Sequence, residues 1–194
     1  RSRRPSGASS APITCLDNSC FNVYIRGMAR HLRHLRDEIK QGKPFSSLEE
    51  EAALNLLRTS CTVVQGLAEV LGPAGLTPNQ YNVLRILRGA GAAGCSSGEI
   101  GGRMVTRDPD LTRLLDALAR QGWLTRERDT RDRRVVLSRI TPSGKALLKR
   151  LDRPMAGIHV SQLSHLGRTR LKTLVSLLEL ARGGPGPESR TKGA

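Results

Sequence analysis

Aromatic side chains make up only 3% of this 194-residue chain, with one Trp, two Tyr and two Phe. So few rings exclude base stacking as a main mode of nucleic-acid contact and argue against sheet-based single-strand RNA modules. The core has to come from Leu, Val, Ile and Ala, which suits helices. Long apolar runs are also missing. None approaches the roughly 18–20 residues of a membrane span, so no membrane partner is expected. Cysteines number four, Cys15, Cys20, Cys61 and Cys95. Only the first two lie close together, and no second pair answers them, so no zinc site is expected. The first residues are rich in Arg, Ser and Pro and lack the apolar stretch of a secretory signal. A cytoplasmic location with reduced thiols is the expectation.

Acidic residues are scarce too: 17 Asp and Glu stand against 32 Lys and Arg, a formal net charge of +15. Such an excess points to nucleic acid or an anionic surface as partner and says nothing about fold. A GC-rich genome that uses arginine freely would give the same balance, so charge alone does not decide. Catalytic patterns are absent. His31, His34, His159 and His165 are scattered, and no carboxylate or cysteine spacing completes a metal site. The glycines from Gly89 to Gly94 lack the Gly-Lys-Ser/Thr ending of a phosphate loop. No nucleophile–base spacing stands out. Neither catalytic residues nor metal nor cofactor is expected, and Cys61 and Cys95 read as small core residues rather than sensors.

What is present is helical period with clear punctuation. Residues 1–27 show no period, and Met28, which precedes a regular basic stretch Ala29 to Lys40, is read as the natural start. A helix is predicted from about Leu48 to Leu71, with Ser47 and Glu50 as a capping box and Gly72-Pro73 as its stop. Thr77-Pro78-Asn79-Gln80 opens a second helix with a cap, a proline at the first helical position and a completed box. Ser96 and Glu99 cap a short third helix to about Met104. Asp108-Pro109 is read as the start of a fourth, which ends at Gly122. Its core stripe is Leu111, Leu114, Leu115 and Leu118; its other face carries Asp110, Thr112, Arg113, Asp116 and Arg120. Thr141-Pro142 caps a fifth helix to about Leu163, kinked at Pro154. A sixth runs from about Arg168 to Arg182.

Between the fourth and fifth helices lie two strand-like segments, Trp123 to Arg128 and Val135 to Ile140. The run Asp129-Thr130-Arg131-Asp132-Arg133-Arg134 joins them as a basic hairpin tip. A short helix pair followed by such a hairpin reads as a winged helix-turn-helix. The Val105-Thr106-Arg107 turn sets the helix pair, and the second helix presents Asp110, Thr112, Arg113 and Ala117 to a major groove. Arginine pairs bidentately with guanine, and a carboxylate accepts from cytosine. Arg131 and Arg133 at the tip suit a narrow minor groove, with Arg134 held by Asp129 or Asp132. Asp110 would repel phosphates unless it faces a base edge.

These pieces resemble the multiple-antibiotic-resistance regulator (MarR) family. The resemblance is carried by Leu76 to Leu84 (LTPNQYNVL), Leu111 to Leu118 (LTRLLDAL), Gly122-Trp123-Leu124, the tip Asp129 to Arg134, and Leu137 to Gly144 (LSRITPSG). It implies a mainly α fold with a small antiparallel β-hairpin, the winged helix-turn-helix being flanked by dimerisation helices. The expected organisation is a disordered basic arm (1–45) and a disordered tail (183–194), both read from composition, around a dimerisation helix (46–75), the DNA-binding domain (76–145) and C-terminal dimerisation helices (146–182), over which the resemblance extends. The implied function is that of a homodimeric, sequence-specific transcription regulator, mostly a repressor, released by a small-molecule or oxidising signal. Expected partners are a pseudo-palindromic double-stranded DNA operator, a second copy and a small-molecule effector. Arg107 joins Asp110, Thr112, Arg113, Arg131, Arg133 and Arg134 as expected DNA contacts. The cleft beside the outer helices, with Leu56, Ser60, Tyr81 and Leu84, is where an effector is expected. Pro109-Asp110 replaces the small hydroxyl residues usual in the family, so base preference does not carry over. A nonspecific architectural or RNA-binding winged helix is the alternative function on the same fold.

Overall fold

The computed structural model describes residues 34–130 and 132–183. In chain order the elements are α1 (Leu35–Glu38), α2 (Leu48–Leu71), a 3-10 turn (Gly72–Ala74), α3 (Pro78–Ala90) and β1 (Cys95–Ser96). Then come α4 (Ser97–Arg103), α5 (Leu111–Arg120), β2 (Leu124–Arg128), β3 (Val136–Ile140), α6 (Pro142–Leu163), a second 3-10 turn (Ser164–Leu166) and α7 (Gly167–Arg182). The mainly helical fold with a small antiparallel sheet is the one the sequence implies. None of the described helices is long and apolar enough to cross a membrane.

The chain divides after Leu56 into two compact units. In the first, the start of α2 is capped by two serines rather than one. Ser47 Oγ accepts the N–H of Glu50 at 3.1 Å, as the capping box requires, but the Glu50 carboxylate turns back to Ser46 instead. Both the N–H and the hydroxyl of Ser46 donate to Glu50 Oε2 at 2.6 Å, and these bonds hold the Glu50 carboxyl below its ordinary range.

In the second unit the expected caps of α3 and α4 are complete. Thr77 and Gln80 exchange side-chain and backbone bonds, as do Ser96 and Glu99. The start of α5 differs from the sequence reading. Asp110, not Asp108, is its N-cap: Asp110 Oδ1 accepts the N–H of Arg113 at 3.2 Å, and the helix opens at Leu111. The segment joining α4 to α5 is accordingly 104–110 rather than a short turn. At the far end Gly122, at φ 71°, lets the chain reverse, and its N–H reaches Ala119 O while that of Trp123 reaches Leu118 O.

The sheet has strand order β1-β3-β2, antiparallel throughout, with Leu124 opposite Ile140 and Arg128 opposite Val136. Both hairpin strands start one residue later than the sequence suggests. Strand β1 is an addition: Cys95 lies opposite Ser138 and Ser96 opposite Leu137. The approach is close at Gly94, where a Cβ would stand 2.7 Å from Ser138 O.

One apolar core gathers from every side of this unit. Val83, Leu84 and Leu87 of α3, Ile100 of α4, Leu115 and Leu118 of α5 and Leu148 of α6 are fully buried. Each such side chain contributes about 1.5–3 kcal/mol when removed from water. The hairpin is tied to α6 at Trp123, whose carbonyl accepts the N–H of Thr141 at 3.0 Å. A Cβ at Gly144 would meet that same carbonyl at 2.3 Å, so only glycine fits there. Helix α6 runs through Pro154 to Leu163. Helix α7 contains no buried residue, although Leu171, Leu174, Val175, Leu177, Leu178 and Leu180 all lie on it.

Candidate nucleic-acid interface

The buried stripe of α5 fixes which side chains it turns outward. Leu115 and Leu118 are anchored in the core, so Thr112, Arg113, Asp116 and Arg120 are exposed, and Ala117 is half-buried. Thr112 and Arg113 stand in the first turn of α5, the part of a recognition helix that meets base edges. Asp110 stands immediately before them, with its carboxylate turned back to the helix amide of Arg113. This answers why an acid is tolerated at that position: it satisfies one of the helix's unpaired N–H groups and its charge sits favourably at the positive end of the helix.

The loop before α5 is closed by a series of side-chain bonds that sequence reasoning did not foresee. Asn82 Oδ1 on α3 accepts the N–H of Val105 at 2.9 Å. Asn79 Nδ2, one turn earlier on α3, donates to Asp108 Oδ2 at 2.8 Å, and Asp108 Oδ1 accepts the N–H of Asp110 at 3.0 Å. Arg107 lies exposed between these anchors.

The hairpin tip is shaped by backbone bonds. The N–H of Asp129 reaches Val135 O at 2.9 Å and that of Val135 reaches Asp132 O at 3.0 Å. Asp132 Oδ1 accepts the backbone N–H of Arg134 at 2.9 Å, so Asp132 holds Arg134 through its main chain and not through the expected charge pair. Arg133 and Arg134 are exposed. Arg131 lies outside the described residues.

Charge is sorted across this surface. Arg126 of β2 pairs with Asp116 of α5, and Arg139 Nη1 of β3 pairs with Glu127 Oε2 at 3.2 Å while its Nε donates to Ala92 O at 2.9 Å. Asp108, Asp110 and Asp132 are each engaged with backbone N–H groups. Among the described residues, Arg107, Arg113, Arg128, Arg133 and Arg134 are exposed and form no ion pair. The acids are thus committed to holding the fold and the cations are left to meet an anion. Neither Asp116–Arg126 nor Arg139–Glu127 was legible beforehand, since each pair is formed by strand register and helix packing rather than by local spacing.

The four residues expected near an effector are placed differently from one another. Tyr81 and Leu84 belong to the core, Leu84 being closed to solvent, while Ser60 is exposed on α2. The Arg85 guanidinium lies 5.9 Å from the Tyr81 ring centre, and burial pushes the Tyr81 phenol up. Leu56, in the first unit, is exposed. Of the described cysteines, Cys61 is exposed and Cys95 buried, the latter's Sγ lying 3.4 Å from Arg103 Nη1. The reading of Cys61 as a core residue is corrected by this exposure.

The helix pair and hairpin coincide with the match to a family model, that of the MarR family, over residues 76–136. Over 115 residues the chain is 32% identical to the multiple antibiotic resistance protein MarR of Salmonella typhimurium, spanning 58% of this chain and 78% of that protein. Among solved structures it is similar to a MarR transcription factor from Planctomyces limnophilus, with 37% identity and a TM-score of 0.55 over 70% of this chain and 98% of that one. It is also similar to the repressor CouR, a Rhodococcus jostii protein, solved on a 23-mer DNA duplex. That likeness has 29% identity and a TM-score of 0.62 over 72% of this chain and 97% of that one. The helix pair, the basic hairpin and this degree of shared sequence lead to one assignment: the chain belongs to the MarR family of DNA-binding transcription regulators, and is a regulator rather than an enzyme.

Proposed function

We propose that this regulator is a homodimeric, sequence-specific repressor that binds a pseudo-palindromic duplex in the cytoplasm and is released by a small-molecule or oxidising signal. The observation that carries the DNA reading is the sorting of charge described above. Thr112 and Arg113 are exposed on the first turn of α5, Arg107 on the loop before it and Arg133 and Arg134 at the hairpin tip, while Asp108, Asp110 and Asp132 are engaged with backbone N–H groups. Affinity then comes from arginine contacts to phosphates, base choice from Thr112 and Arg113, and added grip from the tip in a minor groove.

Two copies are favoured by α7. A helix of that length with no buried residue and with Val175, Leu177 and Leu180 exposed has an apolar side that the described residues do not cover. A second copy covers it most simply, because a two-fold axis brings the same patch onto itself. Two-fold symmetry in the protein is matched by pseudo-palindromy in the DNA. Repression and release by a ligand are drawn from CouR, a named repressor solved on DNA and with p-coumaroyl-CoA. For an oxidising signal, Cys61 is the exposed thiol among the described cysteines.

Light scattering on the purified chain, followed by sequencing of genomic fragments that it retains, tests this reading. A dimer at micromolar concentration and recovered fragments that share a two-fold motif are expected. A stable monomer, or retention of fragments without a common motif, overturns it in favour of a nonspecific winged helix.

A further inference from the structure

The N-terminal end of α5 is not held by α5 alone. Its cap, Asp110, receives at its own N–H the support of Asp108 Oδ1, and Asp108 Oδ2 receives the amide of Asn79 at 2.8 Å. Asn79 lies in the first turn of α3, which is rigidly set by the Thr77–Gln80 box and by Pro78. A hydrogen-bonded series therefore runs from α3 through Asn79, Asp108 and Asp110 to the N–H of Arg113. We infer that Asn79 is a positioning residue for base reading: acting through Asp108 and Asp110, it sets where the first turn of α5, with Thr112 and Arg113, meets the DNA. The inference rests on the proposed sequence-specific reading of DNA.

Three features make this bond more than surface decoration. Asn79 and Asp108 are both half-buried, so water competes less for their contact than at an exposed pair. The acceptor is a carboxylate, and charge-assisted bonds are roughly twice as strong as neutral ones. Segment 104–110 has no regular structure of its own, so its path depends on the points where it is pinned. Those points are Asp108 on Asn79 and, toward the α4 end, Val105 on Asn82. Pro109 supplies no N–H and favours an extended backbone at Asp108, which leaves the Asp108 side chain as the tie between this turn and α3. Asn79 touches no DNA in this account, so its loss should alter how well bases are discriminated more than how strongly phosphates are held.

The experiment is a double-mutant cycle read on two duplexes. The first is the duplex recovered from a randomised pool by the unsubstituted chain; the second is a random sequence of equal length. Asn79→Ala is expected to weaken binding to the selected duplex about tenfold, the order expected from one such bond. Binding to the random duplex should stay nearly unchanged, while the melting temperature falls by roughly 2–8 °C as the Asp108 carboxylate loses its partner. Asn79→Asp sets two carboxylates against each other and should be at least as harmful. Adding Asp108→Asn to it restores donor and acceptor with their direction reversed, and should recover most of the discrimination. Equal losses on both duplexes, or no rescue in the double variant, would overturn the inference. If the unsubstituted chain selects no motif at all, it is the proposed sequence-specific function that fails.

Discussion

Arg126 on β2 holds the carboxylate of Asp116 on the exposed side of α5, joining the base of the hairpin to that helix. The pair spans the turn at Gly122 and so limits how far the wing and α5 can move apart. It also compensates a negative charge on the face proposed to read DNA, where an unpaired Asp116 would repel phosphates.

Two substitutions at this pair should act in opposite directions. Arg126→Met leaves Asp116 unpaired and should weaken DNA binding. Asp116→Asn frees Arg126 and removes a negative charge, and should strengthen binding to random duplex. The partners are partly exposed, with side-chain accessibilities of 22% and 54%, so loss of either should cost less than about 1 kcal/mol of stability. Filter binding at several salt concentrations, beside thermal melts, separates the two effects. Affinity changes of the same sign would contradict this role.

Arg113 and Arg133 differ in what their loss should change. Arg113→Ala is expected to cost roughly 1–3 kcal/mol per half-site on the selected duplex and to relax one position of each half-site. Arg133→Ala should weaken binding across sequences and flatten the dependence of log affinity on log salt by about 0.9 for each copy bound. Titrations of both variants on selected and random duplexes would show the split; matching losses on both duplexes for both variants would count against it.

Asp110 tests capping against base reading. Since its Oδ1 already accepts from Arg113 N–H, Asp110→Ala should lower stability by about 1 kcal/mol. Asp110→Asn keeps an acceptor for the cap and should leave stability and motif nearly as they were. A new base preference in the Asp110→Asn variant, seen in a selection on randomised duplexes, would show that the carboxylate reads a base after all.

Acid stability should carry the mark of Glu99. The N–H and hydroxyl of Ser96 bond its carboxylate and hold its folded-state pKa below the ordinary value of 4.5. A carboxyl with a depressed folded pKa contributes its full stability above about pH 4.5 and loses it as pH falls through the lower folded value. Glu99→Gln should therefore melt with a shallower pH dependence below 4.5 than the unsubstituted chain. Parallel melting curves from pH 6 to about pH 2.5 would show that the capping carboxylate makes no such contribution.

Much of this architecture was legible because its signals are local. Thr77 with Gln80 and Ser96 with Glu99 fix two helix starts within a few residues, and Thr141-Pro142 does so for α6. The apolar stripe of α5 gave its outward face, so the exposure of Thr112 and Arg113 followed from spacing alone. The errors have long-range causes. Asp108-Pro109 has the local form of a helix start, but Asp108 is drawn to Asn79, far back in the chain, and the cap passes to Asp110. Strand β1 consists of Cys95 and Ser96, too short for any period, and exists only because β3 lies beside it. Arg134 looked like a charge partner for Asp132 because sequence shows proximity and not whether main chain or side chain makes the bond.

On the proposed function, two copies read a two-fold site through the first turn of α5. Selection from a pool of randomised duplexes with the full chain, followed by sequencing, tests it most directly. A pseudo-palindromic motif whose half-sites lie about 10 base pairs apart is expected. The recovered duplex should be bound roughly a thousandfold more tightly than random DNA. Enrichment of no motif, or of a single half-site without its mirror, would contradict it.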